Sequence, residues 1–391
     1  MIGMTETEVL YNTSTPEFQT DLWDIYRTMR DEHPVYHDPD QGFYALTRFD
    51  DVWAAAADHE TFSSKVAEAN ELLPQLIFMD PPRQTALRKL VSRVFTPRRV
   101  AGMEADLSAS IERLIDTIAA KGTCEFQHEY AAVIPSVAVG GMIGLDEKYL
   151  APMRAWTEAF IGLTENNEDA LNAAVSIYTT FAELLEERRR EPREDMMTAL
   201  LNAEIDGERL SDEELLGFCL LLVLGGNDTT ASLIGSGTVL LLQNPDQLDL
   251  LRHDPSLWLS AVEEINRIEA PTQALPRTAT RDVELHGVRI PAGSRVLLVW
   301  GAANHDEREF PDPERFDVTR RAQRHASFGH GVHFCMGSGL ARLEARLAFE
   351  QWFTRFPECE LIGAPTRMVS TWARAFESIP LRVNEKRTSQ P

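Results

Sequence analysis

The chain has 391 residues, with 61 Asp+Glu against 38 Lys+Arg and a formal net charge of −23. Hydrophobic residues make up 43% and charged residues 25%, which is the balance of a water-soluble globular protein. The acidity excludes a general nucleic-acid partner, because phosphates require a basic face. No apolar stretch reaches the ~20 residues that cross a bilayer, and the N-terminus lacks the features of a secretion signal. We therefore expect a cytoplasmic protein without a membrane partner.

The elements near the N-terminus are predicted to form a hairpin. Residues 35–37 and 43–47 are short extended runs on either side of the turn-forming sequence Asp-Pro-Asp-Gln-Gly. Over residues 85–266 the apolar periodicity is mainly helical, and over 280–300 it becomes the two-residue alternation of strands. A final helix is predicted over 337–356. The fold class is therefore mainly α with small β-sheets.

One long helix is predicted in the middle of the chain. The sequence Ser-Asp-Glu-Glu at 211–214 is a capping box that starts it, and Asn244 followed by proline ends it, a span of roughly 45–50 Å. Its centre carries Gly-Gly-Asn-Asp-Thr at 225–229, where each glycine costs about 1 kcal/mol relative to alanine. Such a cost indicates a local function. The alternative is a buried strand at 220–224 that leads into a nucleotide-binding turn, although no phosphate-binding glycine motif completes it.

A shorter helix follows Asp254 and carries an ion pair. Glu264 and Arg267 lie three residues apart on this helix, where an exposed pair contributes at most ~0.5 kcal/mol. The segment 301–335 is rich in Pro, Gly, Arg and His and has little periodicity. A long irregular segment in a compact chain is usually functional.

The irregular segment leads into a glycine-rich loop with a cysteine, Phe-Gly-His-Gly-Val-His-Phe-Cys-Met-Gly at 328–337. The three glycines permit a tight bend and a close approach of the backbone to a flat group. Cys335 precedes a helix, whose positive N-terminal end stabilises a thiolate. Four cysteines are too few for a disulfide framework, so this one is predicted to be a ligand or a nucleophile. Two alternatives stay open: a buried structural thiol, or a zinc site formed by His330, His333 and Cys335.

The pattern Phe-x-x-Gly-x-His-x-Cys-x-Gly, followed by a helix that starts Leu-Ala-Arg, resembles the heme-binding loop of the cytochromes P-450. The other landmarks occur in the order of that family along nearly the whole chain. The resemblance implies a single domain over 1–391, in which a β-rich lobe from about 30–60 and 280–300 packs on a helical lobe. It also implies heme b (iron protoporphyrin IX), clamped between the long helix and the loop, with the Cys335 thiolate as the ligand of the iron.

The resemblance assigns further residues to the cofactor site. Phe328 is expected to pack near the thiolate, and His333 to hydrogen-bond a heme propionate. Gln84, Arg88 and Arg277 are expected to contact the propionates, since arginine suits carboxylates. The full cofactor-binding set is Gln84, Arg88, Gly225, Gly226, Arg277, Phe328, Gly329, His333, Cys335 and Gly337.

The resemblance also implies catalytic and structural roles. Gly225 and Gly226 are expected to leave room for dioxygen. Asp228 is expected to relay protons from solvent and Thr229 to hold the group that receives them, because cleavage of an O–O bond needs two protons. A buried ion-pair triad that braces the irregular segment is expected to consist of Glu264, Arg267 and Arg315.

The implied reaction is insertion of one oxygen atom of dioxygen into an organic substrate, while the other oxygen leaves as water. The expected pocket-lining residues are mostly apolar: Leu72, Phe78, Leu221, Leu224, Gln273 and Ala274. They suit an apolar lipid, terpenoid, steroid or aromatic compound. The alternative function is a non-catalytic heme-thiolate sensor or carrier, which would need no proton relay.

The chain contains no flavin or iron–sulfur segment, so electrons are expected from a separate ferredoxin and its reductase. Basic residues cluster locally although the chain as a whole is acidic. If they share the face behind the cysteine loop, they would attract an acidic electron donor. The cluster consists of Arg83, Arg88, Lys89, Arg93, Arg98, Arg99, Arg342 and Arg346.

Overall fold

The computed structural model describes most of the chain: residues 11–13, 15–38, 40–65, 75–92, 95–161, 168–205, 208–321, 324–370 and 372–384. Helices predominate in these ranges. They are α1 (Pro16–Thr20), α2 (Leu22–Glu32), α3 (Phe49–Ala57), α4 (Arg83–Val91), α5 (Pro97–Gly102), α6 (Glu104–Lys121), α7 (Val133–Ile143), α8 (Leu150–Ile161), α9 (Glu168–Arg190), α10 (Met196–Leu201), α11 (Asp212–Gln243), α12 (Pro245–His253), α13 (Trp258–Ile268), α14 (Trp300–Ala303) and α15 (Ser338–Arg355).

The strands are short and form small sheets. They are β1 (Val35–His37), β2 (Tyr44–Leu46), β3 (Phe62–Ser63), β4 (Thr123–Glu125), β5 (Glu204–Ile205), β6 (Glu208–Arg209), β7 (Leu275–Ala279), β8 (Val283–Leu285), β9 (Val288–Ile290), β10 (Arg295–Leu298), β11 (Glu360–Leu361), β12 (Thr366–Arg367), β13 (Phe376–Ser378) and β14 (Pro380–Arg382). The predicted fold class, mainly α with small sheets, is confirmed.

The largest sheet joins the beginning of the chain to its second half. Its strand order is β1-β2-β10-β7-β3, with β2 and β10 parallel and the other neighbours antiparallel. The predicted hairpin is present as β1 and β2, in which Val35 faces Leu46. A second hairpin pairs β8 with β9, as the alternating pattern predicts. In β10, Val296 faces Arg277, which fixes that arginine at the edge of the helical region.

Helix α11 is the centre of the helical region. Ser211 Oγ accepts from the Glu214 N–H over 3.2 Å and Glu214 Oε2 accepts from the Ser211 N–H over 3.0 Å, so the predicted capping box is present. The helix packs against α7, α8, α9, α13 and α15. The alternative of a strand at 220–224 is wrong, because these residues lie within one continuous helix.

The apolar length of α11 reflects its position in the core. Among the described helices, α11 is long and apolar enough to span a membrane by composition, with a mean hydropathy of 1.4 over 18 residues. Of that window, 67% is buried against the rest of the protein. Burial of most of this window explains why the helix is largely apolar.

Candidate heme and oxygen site

One stripe of α11 is open although the rest of the helix is buried. Leu221, Gly225 and Thr229 follow one another at intervals of four and all keep exposed surface. Leu224 is also half-buried, and the 3-10 turn Leu76–Phe78 packs against the helix. Residues four apart share one helix face. This face of α11 therefore lines an interior space rather than a packed contact.

The two central glycines have different structural roles. A Cβ atom at Gly225 would have only Leu221 Cδ1 near it, at 4.0 Å, so this glycine keeps the space beside the helix open. A Cβ atom at Gly226 would lie 2.7 Å from Val139 Cγ2 of α7, which is closer than real Cβ contacts. The structure therefore corrects the prediction that both glycines leave room for dioxygen: Gly226 is required for the packing of α7 on α11.

Asp228 and Thr229 place an acid and an alcohol side by side in the middle of the helix. Asp228 is buried, and burial raises its pKa well above the usual value, which favours the protonated form of the carboxyl. Among the described residues, its Oδ2 atom has no hydrogen-bond partner. The Thr229 hydroxyl donates to the Gly225 carbonyl over 2.8 Å, which turns its lone pairs away from the helix axis.

The cysteine loop is held tightly against α3. The Cys335 N–H donates to the Phe328 carbonyl over 2.8 Å and closes the loop. Gly329 and Gly331 have φ values of +68° and +69°, which favour glycine. A Cβ atom at Gly331 would lie 2.8 Å from the Ala56 carbonyl oxygen of α3, so the close approach also requires glycine.

Cys335 differs from the other cysteines of the chain in its surroundings. It is half-buried at the start of α15, whereas the other three are buried in apolar surroundings that raise their thiol pKa values to about 11 or 12: Cys124, Cys219 and Cys359. Burial also raises the pKa of Cys335, but the backbone N–H groups of Gly337 and Ser338 and the charges of Arg88 and Arg342 oppose that rise. The backbone N–H groups and positive charges that surround this half-buried cysteine suit a metal ligand better than a structural thiol.

The zinc alternative is not supported by the geometry. His330 stacks on Trp53 with ring centroids 3.8 Å apart, so its ring is part of the contact with α3. In the part of the chain that the structure describes, no three His, Cys, Asp or Glu side chains come together to hold a metal ion. A closed tetrahedral site would need four such ligands.

Two buried donors without an anion lie beside the loop. Arg277 is 4% exposed and, within the described ranges, donates only to the Pro276 carbonyl over 2.8 Å, and burial lowers its pKa to about 10. Burial and the charge of Arg277 lower the pKa of His333 to about 4. Its Nε2 atom is buried and has no partner among the described residues. The nearest carboxylate, Asp80, is already bonded to Ser63 and Ser64. A buried guanidinium that lacks a carboxylate fits a heme propionate.

Gln84 and Arg88 hold the cysteine loop. The fully buried Gln84 donates from Nε2 to the Val332 carbonyl over 2.7 Å, and its Oε1 accepts from Thr85. Arg88 donates to the Phe334 carbonyl. Both side chains, predicted to contact propionates, are thus bonded to the backbone on either side of His333. In the structure they position the loop that carries Cys335.

The aromatic side chain next to the thiolate is covered by an arginine. The Arg342 guanidinium lies 4.3 Å above the Phe328 ring centroid. The same guanidinium donates to both carboxylate oxygens of Glu263, at 2.5 and 2.9 Å. Phe328 is therefore fixed in place from the side of α15, close to the cysteine that its carbonyl contacts.

The predicted ion-pair triad contains a different arginine. Glu264 and Arg267 are fully buried and bonded through both oxygens at 2.8 Å. The third member is Arg320, whose Nε donates to Glu264 Oε1 over 2.9 Å. Arg315 is exposed, and its carbonyl accepts from Arg320. The assignment of Arg315 is therefore wrong, because the chain turns after Arg315 and brings Arg320 to the carboxylate.

Two of the predicted pocket residues lie in the core instead. Gln273 is buried, accepts from the Tyr26 hydroxyl over 2.9 Å and donates to the Ala270 carbonyl over 2.6 Å. Ala274 is buried in the apolar cluster under the N-terminal helices. Both predictions are wrong, because the segment before β7 directs these side chains toward α2. Leu72 lies outside the described residues, and Phe78, Leu221 and Leu224 are half-buried, so their place in the pocket stays a prediction.

Carboxylates pair with much of the predicted basic cluster. Arg83 pairs with Glu214, and Arg346 pairs with Glu104 and Glu350. Arg93 lies outside the described residues. Within this cluster, the exposed cations without an ion pair among the described residues are Lys89, Arg98 and Arg99. The 40% exposed ring of Phe334 lies next to Cys335 in the same loop.

Comparison with known proteins gives consistent matches. The sequence model described as "Cytochrome P450" matches residues 147–255 and 257–361. The chain is 36% identical to "Cytochrome P450 130" of Mycobacterium tuberculosis, over 95% of this chain and 98% of the relative. It is 37% identical to "Steroid C26-monooxygenase" of M. tuberculosis, over 91% and 92%. The crystal structure of CYP109E1 from Bacillus megaterium in complex with testosterone matches with a TM-score of 0.90 at 27% identity, over 95% of this chain and 100% of that one.

Proposed function

The chain belongs to the cytochrome P450 family and is a monooxygenase, and we propose that it uses heme b held by Cys335 to oxidise an apolar steroid. The observation that carries the cofactor assignment is the pair of buried basic side chains without an ion pair among the described residues, Arg277 and His333, beside a half-buried cysteine. Each of these groups lacks in the protein the partner that iron protoporphyrin would provide.

The residues around the cofactor have separate tasks. When bound, the heme supplies an iron centre that binds and activates dioxygen, and the thiolate increases its electron density. Cys335 would ligate the iron, while Arg277 and His333 would bind the propionates and orient the ring. Gln84 and Arg88 act indirectly, because they hold the loop backbone on both sides of His333.

Asp228 and Thr229 would manage protons on the other side of the site. The Asp228 carboxyl can donate a proton, because burial raises its pKa and favours the protonated form. Thr229 is anchored to Gly225 and keeps lone pairs free to hold a water or a reacting oxygen. General acid catalysis of this kind contributes about 100- to 10,000-fold. This pair favours an enzyme over the alternative of a heme-thiolate sensor or carrier.

The substrate class follows from the lining and from the relatives. Phe78, Leu221 and Leu224 present apolar surface to the open side of α11. With Gln273 and Ala274 assigned to the core, no polar anchor of the predicted pocket set is left among the described residues. An apolar pocket suits a large apolar ligand. The printed names of one relative and one structural neighbour refer to a steroid reaction and to testosterone, which supports a steroid substrate.

Electrons would come from a ferredoxin and its reductase, in the cytoplasm. The surface near the cysteine loop carries the exposed Phe334 ring, and α4 and the start of α5 add Lys89, Arg98 and Arg99 without ion pairs among the described residues. An exposed aromatic side chain with nearby cations suits a small acidic protein. The rest of the surface is acidic, so attraction would be restricted to this region.

A turnover experiment tests the proposed function. The heme-loaded protein is titrated with testosterone, hexadecanoic acid and naphthalene, and the heme spin state is followed by absorption. It is then supplied with NADPH, a ferredoxin and a ferredoxin reductase, and products are identified by mass spectrometry. We expect a spin-state shift and a hydroxylated product with testosterone. Binding of testosterone with fast electron transfer but no product would instead favour a non-catalytic heme-thiolate protein.

A further inference from the structure

Asp228 needs a source of protons, and its surroundings restrict where that source can be. Within the described ranges, no Lys, Arg or His side chain forms an ion pair with its carboxyl, and Oδ2 has no partner. Helix α8 packs directly on α11. The buried Thr157 hydroxyl of α8 lies against the Asp228 carboxyl and donates to the Arg154 carbonyl over 2.9 Å. Contact between Asp228 and the outside therefore runs along α8.

The next residue of α8 belongs to a titratable pair at the surface. Glu158 Oε1 lies 3.2 Å from His128 Nδ1, and the two side chains are 44% and 46% exposed. His128 lies in the π-helical turn Gln127–Ala131, which also packs against α11. The charge of Glu158 acts on Asp228 and contributes to its raised pKa. The surface pair and the buried acid are therefore electrostatically coupled.

The groups around His128 favour its protonated form. The hydrogen bond that His128 Nδ1 donates to Glu158 raises the pKa of His128, and partial burial opposes this rise. The charges of Glu158 and Glu125 and the backbone of Glu377 raise it further. Glu129, in the same turn, forms an ion pair with Lys121. An imidazole of this kind exchanges protons with water in the range where the enzyme works.

We propose that the His128–Glu158 pair is the site at which protons are taken up from solvent to reload Asp228. Glu158 accepts a proton from the His128 imidazolium, and His128 is protonated again from water. The proton then passes across the turn at Thr157, through its hydroxyl or a water molecule, to the Asp228 carboxylate. The proposal rests on the proposed function, because Asp228 needs repeated reloading only when oxygen reduction consumes its proton in every cycle. The electrons for that reduction come from the ferredoxin.

Infrared spectroscopy of the heme-loaded enzyme tests the proposal without turnover. The band of the protonated carboxyl is assigned by its loss in Asp228→Asn, and its exchange is followed after dilution into D2O. We expect Glu158→Gln and His128→Gln to slow the exchange at least about tenfold. Asp51→Asn is the matched control, because it removes a chemically similar pair with His286 at 2.7 Å in the other lobe. Unchanged exchange in both variants, or no Asp228 band in the wild type, would overturn the proposal.

Oxygen reduction by the same proteins provides a second readout. NADPH, ferredoxin and reductase are supplied without organic substrate, and dioxygen uptake is measured against pH in H2O and D2O. In Glu158→Gln we expect slower uptake, a larger solvent isotope effect and a flatter pH profile, with an unchanged rate of CO-complex formation. Wild-type uptake, isotope effect and pH profile in this variant would contradict the proposal. If the wild type reduces no dioxygen but the infrared exchange is slowed, the proton path holds and the proposed function is wrong.

Discussion

Glu264 Oε1 accepts a hydrogen bond from Arg320 Nε over 2.9 Å, which ties the segment before the cysteine loop to α13. Glu264 is fully buried, and Arg320 also donates to the carbonyls of Pro311, Asp312 and Arg315. One guanidinium therefore fixes both the buried carboxylate and the turns around it. This contact precedes the loop that carries Cys335.

Replacement of Arg320 is expected to destabilise the protein more than replacement of Arg315. Arg320→Gln removes a hydrogen bond to a charged buried group, at a cost of about 2 kcal/mol, because Glu264 keeps Arg267. Arg315→Gln changes an exposed side chain and should stay within about 0.5 kcal/mol. Urea unfolding of the two variants measures the difference. Equal losses of stability in the two variants would contradict the assignment of Arg320 as the third member of the triad.

Alanine substitutions at the neighbouring glycines of α11 are expected to change stability in opposite directions. Gly226→Ala forces a methyl group to within 2.7 Å of Val139 Cγ2, and such overpacking costs about 1–3 kcal/mol. Gly225→Ala meets no close atom and gains up to about 1 kcal/mol of helix propensity. Its methyl group enters the open space and should weaken carbon monoxide binding. Thermal unfolding measures the change in stability, and CO titration measures the change in carbon monoxide binding. A second substitution, Val139→Ala, should restore the stability of Gly226→Ala and have no such effect on Gly225→Ala.

Loss of the Thr229 hydroxyl is expected to uncouple electron consumption from product formation. Thr229→Ala removes the group held at Gly225 by a 2.8 Å hydrogen bond but leaves the heme contacts intact. Reducing equivalents should then appear as hydrogen peroxide. The measurement is the ratio of peroxide and hydroxylated product to NADPH consumed. Thr229→Ser, which keeps the hydroxyl, serves as the control. Unchanged coupling in the alanine variant would refute the role of Thr229.

Replacement of Arg277 is expected to stabilise the heme-free protein but to weaken its retention of the cofactor. Its buried guanidinium lacks a carboxylate partner in the described structure, so Arg277→Met should stabilise the heme-free protein by about 1 kcal/mol or more. The same change removes a propionate ligand and should speed heme transfer to apomyoglobin at least about tenfold. An unchanged transfer rate would show that Arg277 binds no part of the cofactor.

His305 is expected to make the fold sensitive to acid. Its ring is buried and stacked on Trp23, and burial lowers its pKa from 6.5 to about 3. Because the unfolded chain binds the proton more readily, the stabilising contribution is complete above pH 6.5 and is lost as the pH falls toward 3. The slope is about 1.4 kcal/mol per pH unit. Urea midpoints from pH 7 to 4 should fall less steeply in His305→Gln, and parallel slopes would contradict this.

Local features were predicted well because their causes are local. The start of α11 follows from the capping box at Ser211, and the bend of the cysteine loop follows from Gly329 and Gly331. Contacts between distant segments could not be predicted in this way. Arg315 and Arg320 lie five residues apart in one irregular segment, and sequence spacing does not determine which reaches Glu264.

The direction of side chains at the edge of the pocket was also predicted incorrectly from the sequence. Gln273 follows a helix and precedes β7, and its partner Tyr26 lies 247 residues away in sequence. Nothing in the local pattern indicates that the amide points into the core. The role of Gly226 was missed for the same reason, because its neighbour Val139 belongs to another helix. Tertiary packing decided each of these positions.

The most direct test of the central claim is the absorption spectrum of the purified protein, reduced with dithionite and exposed to carbon monoxide. Thiolate ligation through Cys335 predicts a strongly red-shifted Soret band in the wild type and its loss in Cys335→Ser. The control substitution Cys219→Ser, at a buried cysteine, should keep the red-shifted band. A colourless protein after heme reconstitution, or a red-shifted band that persists in Cys335→Ser, would contradict the assignment of Cys335 as the iron ligand.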